Sequence, residues 1–124
     1  MDITPLVPKD RQVISHYGNG GFVISGVAHK GNILVLADKV MPWNVTEISV
    51  ALLASFDALF ASDPPEILLI GTGAKFAPLA PKLREYFREK GVAADAMDTG
   101  AACRTYTVLL AEGRQVAAAL VAVA

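Results

Sequence analysis

Glu66-Ile67-Leu68-Leu69-Ile70-Gly71-Thr72-Gly73 is the stretch that decides the fold. Four consecutive aliphatic residues running into a glycine turn read as a strand buried on both faces, which belongs inside a sheet and not at its edge. Downstream the texture alternates as helix, strand, helix, strand, the pattern of a sheet covered by helices. Leu79 to Lys90 predicts a helix, with Leu79, Leu83 and Phe87 on one side, Pro81 in the opening turn and Gly91 as the stop. Val92 to Met97 follows as a strand of small residues. Ala101 to Glu112 predicts a further helix, with Ala102, Tyr106, Leu109 and Leu110 on one face, Asp98 or Thr99 as N-cap and Gly113 as terminator. Val116 to Val123 is a continuous apolar strand expected near the centre of the sheet.

Upstream of Glu66 the signals change. Residues 1–10 hold Pro5 and Pro8 and read as an extended arm, because each proline fixes φ and removes a backbone donor. Residues 11–45 read as a β-meander of three apolar stretches, Gln12 to Tyr17, Gly21 to Ser25 and Ile33 to Ala37. Gly18-Asn19-Gly20 and His29-Lys30-Gly31-Asn32 are the expected turns. Val40 to Trp43 predicts a short strand whose Pro42 places it at an edge or a bulge. Thr46 to Ser62 predicts a helix, from Ile48, Leu52, Phe56, Leu59 and Phe60, with Thr46 as N-cap and Pro64-Pro65 beyond its end. Residues 46–124 thus form an α/β part, and residues 1–124 one domain.

Composition narrows the function classes. Apolar residues make up 53% of the 124 and charged ones 19%, which excludes a chain disordered by composition. A net charge of -1 and a pI near 6.1 give no electrostatic footprint for nucleic acid. The mean hydropathy of +0.43 raises the question of a membrane span. The longest apolar run, Val116 to Ala124, is far shorter than the roughly 18 residues such a span needs. The Met1-Asp2 start carries no signal-peptide pattern, and the single cysteine fits a reducing compartment, so a cytoplasmic location is expected.

Two turns carry the candidate chemistry. Gly71-Thr72-Gly73 directly follows the buried strand, where backbone N–H groups and the Thr72 hydroxyl could face a phosphate or carboxylate. It is a poor dinucleotide fingerprint, since Phe76 stands where the third glycine belongs and Pro78 and Pro81 delay the helix. Asp98-Thr99-Gly100 ends the next strand, so parallel strands would bring both turns to one crevice. Beside it, Arg104 sits opposite the apolar helix face and near the positive end of the helix dipole, where an anion, a carboxylate or a partner would compensate it. Cys103 borders the apolar face and reads as a buried small hydrophobe before a nucleophile, because no base lies near it in sequence. His16 and His29 lack metal-ligand spacing, and no nucleophile elbow, P-loop or spaced carboxylate pair occurs. No metal or cofactor is expected. Trp43 is either a core anchor or, if exposed, an interface residue.

The runs Ile67 to Gly73 and Asp98 to Tyr106, then Glu112-Gly113-Arg114 and Val116 to Leu120, together resemble a small domain family of unknown biochemical function. Gly21 to Gly26 and Pro42-Trp43 extend the likeness along the chain, while Thr107 stands where the family carries asparagine. The family includes the mitochondrial respiratory complex I assembly factor 3 and an adipogenesis-associated domain protein. The resemblance implies a three-layer α/β fold, a central mixed sheet with helices packed on it plus an N-terminal antiparallel β-meander. It implies action through protein contacts and does not imply an enzyme. It carries over Gly71, Thr72, Gly73, Thr99, Gly100, Cys103, Arg104, Thr105 and Tyr106 as ligand- or partner-binding candidates, none catalytic. The expected function is that of a non-catalytic, cytoplasmic, protein-binding or assembly-assisting factor. Its partner would be another protein or, as a homo-oligomer, a second copy, with any membrane association peripheral and through a partner. The alternative is a small-anion or metabolite binder, enzyme activity included, that uses the Gly71–Gly73 and Thr99–Arg104 turns.

Overall fold

The computed structural model describes residues 11–45, 53–61 and 64–124. The arm over residues 1–10 and the Thr46 cap, with the first part of the helix expected after it, lie outside the described residues.

Two strands apolar on both faces set the architecture: β6, Ile67–Gly71, and β8, Val116–Leu120, which run parallel with Leu69 opposite Ala118. On the far side of β6 lies β7, Ala93–Met97, also parallel, reached through helix α1, Pro81–Glu89. On the far side of β8 lie β4, Ile33–Val35, and β5, Val40–Pro42, both antiparallel to their neighbours. The order β5-β4-β8-β6-β7 makes a mixed five-stranded sheet. Pro42 is on the edge strand, where its missing donor breaks no ladder bond.

Strand alternation divides the core into two clusters, one on each face. Leu34, Leu68, Ile70, Ala117 and Ala119 point to one face and meet Leu83 and Phe87 of α1, Trp43, Phe56 and Leu59. Ile33, Val35, Leu69, Val116, Ala118 and Leu120 point to the other. There they meet Ala102, Cys103, Tyr106 and Leu110 of helix α2, Thr99–Ala111. The same cluster takes Ile14, Phe22 and Ile24 from a separate antiparallel sheet of β1, Ile14–Gly18, β2, Gly21–Ile24, and β3, Val27–Lys30. This is the expected three-layer α/β fold with an antiparallel meander at its N-terminal side. Trp43 is a core residue, 3% exposed, whose Nε1–H donates to Ser55 Oγ while its ring packs 5.4 Å from that of Phe56.

Three local differences have physical causes. The strand β3 carries no apolar run and is largely exposed, so periodicity hides it; its turn is Ser25-Gly26, both at positive φ, a two-residue hairpin, and His29 and Lys30 are strand residues. The meander therefore ends with β3, because Ile33, Leu34 and Val35 are buried on both faces and need neighbours on both sides, which only the central sheet supplies. The described part of the expected Thr46 to Ser62 helix is a 3-10 helix, Leu53–Phe60. Its buried residues, Phe56 and Leu59, are three apart, and a turn of three residues sets one directly over the other.

Candidate functional site

Because β6, β7 and β8 are parallel, their carboxyl ends lie together, with Gly71 opposite both Met97 and Leu120. The two glycine turns therefore meet. They are joined through Thr99, which is fully buried. Its hydroxyl accepts from the Gly73 N–H at 2.9 Å and donates to the Val121 carbonyl at 2.7 Å, while its own N–H donates to the Gly73 carbonyl. Thr72 N–H donates to the Met97 carbonyl, and the Thr72 hydroxyl accepts from Ala77 N–H and lies 2.8 Å from the Lys75 carbonyl. Gly71 is needed for this closeness: a Cβ there would stand 2.9 Å from Thr99 Oγ1 and 3.0 Å from the Thr99 Cα. Gly73 has φ of +107°, which a side chain would strain. The turns thus form a closed joint whose hydroxyls, and the Gly73 N–H, are engaged by one another and by neighbouring backbone.

The remaining candidates lie along the first turns of α2. Asp98 caps the helix by accepting from Ala101 N–H at 2.9 Å, which starts α2 at Thr99, ahead of the expected Ala101. Over Gly100 lie the Tyr17 hydroxyl and the Arg104 guanidinium, 2.6 Å and 3.3 Å from where a Cβ would sit. Arg104 is exposed and takes part in no ion pair among the described residues. It lines an open groove of ≈ 400 Å³ between β1 and α2, with Tyr17, Cys103, Thr107 and Val108. Cys103 forms its floor at 5% exposure. Burial pushes that thiol up to about 11, against a smaller opposing pull from the Arg104 cation. Tyr106 faces the core, where its hydroxyl donates to the Gln12 carbonyl; burial raises it to about 12, with Arg11 opposing. Thr105 is half-buried. The Thr107 hydroxyl donates back to the Cys103 carbonyl.

The nine candidates therefore divide. Gly71, Thr72, Gly73 and Thr99 make the joint; Cys103 and Arg104 line the groove, with Gly100 beneath Tyr17 and Arg104; Tyr106 is core and Thr105 half-buried. Tyr17 and Val108, 44% and 57% exposed, were not singled out by the motifs. A signal for Val108 exists: it follows Arg104 by four residues, so an apolar side chain shares the exposed helix face with the arginine. Among the described residues there is no group of three or more His, Cys, Asp or Glu able to hold a metal, and no helix long and apolar enough to cross a membrane.

Comparison with known proteins adds relatives to this geometry. The family model for proteins of unknown function DUF498/DUF598 matches residues 14–121. An uncharacterized protein of Rhodobacter capsulatus is 40% identical over 107 residues, covering 86% of this chain and 82% of its own length. The NADH dehydrogenase [ubiquinone] 1 alpha subcomplex assembly factor 3 of Xenopus tropicalis is 37% identical over 111 residues, 87% of this chain; the match spans 60% of that longer protein. The crystal structure of an outer membrane protein from Bartonella henselae superposes with a TM-score of 0.85 at 41% identity, covering 92% of this chain and 97% of that one.

Proposed function

From the premise that the chain belongs to the DUF498/DUF598 family, we propose that it is a non-catalytic, protein-binding factor that assists assembly of a larger complex, and that it contacts its partner through the groove between β1 and α2. The likeness to assembly factor 3 carries this reading, since nearly nine-tenths of the chain aligns with that protein. The surface adds support. Tyr17 and Val108 leave large apolar area exposed on either side of Arg104, the combination of aromatic, aliphatic and arginine side chains that anchors protein interfaces. A small-anion or metabolite site at the two turns draws less support, because the Gly73 N–H and both threonine hydroxyls already have partners inside the joint. Attachment to a membrane assembly through such a partner suits the membrane-linked relative and the absence of a spanning helix among the described residues.

The test is affinity capture from a lysate of the source cells with the wild-type chain and Val108→Asp, both checked for equal melting temperature. A stoichiometric partner held by the wild type and lost by the variant is expected. No stoichiometric partner, together with strictly monomeric elution, contradicts the reading.

A further inference from the structure

The outer edge of the central sheet presents a second, separate arrangement. β7 ends the sheet and pairs only with β6 among the described residues. Ala93 N–H donates to the Glu66 carbonyl and the Met97 carbonyl receives Thr72 N–H, so the odd-numbered residues of β7 bond inward to β6. By the alternation of a parallel ladder, the N–H and C=O groups of Ala94 and Ala96 point outward. The strand carries none of the common edge defences of proline or bulge, and three of its five side chains are methyl groups that leave the backbone accessible. Beside this edge runs a groove of ≈ 540 Å³ against α1, lined by Arg84, Arg88 and Phe76, the last 60% exposed. The two arginines are one helical turn apart, a repulsive spacing, and the one ion pair among the described residues, Arg114 to Glu66, does not involve them.

We propose that the β7 edge accepts an extended segment of a partner protein as a sixth strand, with acidic side chains of that segment set between Arg84 and Arg88 on the α1 side. This rests on the protein-binding reading and adds the chemistry of the partner. Strand addition satisfies the four outward backbone groups, and alternate side chains of the added strand fall on alternate sheet faces. Those on the α1 side meet the arginine pair and Phe76. Those on the opposite face lie beside Asp95, which disfavours acidic residues there. A second copy of the chain is a poorer occupant: antiparallel pairing of two β7 strands about their centre sets Asp95 directly against Asp95.

The experiment titrates a capped ten-residue peptide of alternating glutamate and valine into the full-length, 15N-labelled chain, with an alternating lysine and valine peptide as control. Saturable binding of the acidic peptide is expected, with slowed hydrogen exchange at the Ala94 and Ala96 amides. Reversing both arginines, R84E with R88E, should weaken binding at least about tenfold, as loss of a paired charge at an interface does. Ala94→Pro removes one outward donor without touching the ladder to β6 and should abolish binding at unchanged melting temperature. Equal binding of the two peptides, no saturable binding, or Ala94 and Ala96 amides already protected in the free chain each overturn the proposal. Shifts confined to the groove between β1 and α2 also overturn it, while leaving the protein-binding reading intact.

Discussion

Thr99 joins two strand ends and a loop with a single hydroxyl, and its value follows from what its removal would strand. Thr99→Val keeps the volume but leaves the buried Gly73 N–H and the part-buried Val121 carbonyl without that partner. Orphaned buried groups cost roughly 1–3 kcal/mol each, so urea denaturation should show a loss of about 2 kcal/mol or more, with Thr99→Ser far milder. Cys103 and Tyr106 make a second prediction. Both are acids whose folded pKa lies above the ordinary value, up to about 11 and about 12, because burial disfavours the anions. Above pH 9 the unfolded chain therefore releases protons that the folded chain retains, and stability falls as pH rises towards 11. Tyr106→Phe, which cannot ionise, should flatten the part of that fall lying above pH 10, although it starts from a lower plateau through loss of the bond to Gln12. The thiol stays protonated and shielded at neutral pH, so its labelling should be slow until the chain unfolds.

The strands and helices follow from how apolar residues are spaced, and the places where that spacing failed are instructive. In β6 and β8 the runs Ile67 to Ile70 and Val116 to Val123 read as interior strands, and interior strands they are, the second ending at Leu120. β3 was invisible because an exposed edge strand needs no apolar residue. The departure of β4 from the meander depends on β8, more than 80 residues away, and no local pattern carries that pairing. The same logic explains why the turns could be expected at one end of the sheet but not that they interlock: parallel strands align the ends, whereas the Thr99 hydroxyl bonds depend on side-chain placement. Tyr17 over Gly100 is likewise a contact between distant segments. At this scale β8 offers a packing test. Ala118 is fully buried at the centre of the sheet, facing α2, in a cluster with Ala102 and Tyr106. Ala118→Leu inserts three carbons where there is no space and should destabilise by about 1–3 kcal/mol. Denaturant midpoints of this variant and of the control Ala28→Leu, exposed in β3, would separate packing from strand propensity.

At the scale of the molecule, the apolar side chains of the described residues divide between two buried clusters, one on each face of the sheet, and a smaller exposed remainder. That remainder is not scattered evenly. Tyr17 and Val108 flank Arg104 on one side of the sheet, and Phe76 lies with Arg84 and Arg88 at the β7 edge. The glycine turns are engaged in holding strand ends together, so the proposed protein-binding role rests on this exposed remainder. The most direct test is photo-cross-linking from position 108 in source cells, with position 39, exposed in the turn between β4 and β5, as control. The account predicts a discrete, reproducible protein adduct from position 108 and none of that mass from position 39. Equal, diffuse labelling from both positions, or no adduct from position 108, would contradict it.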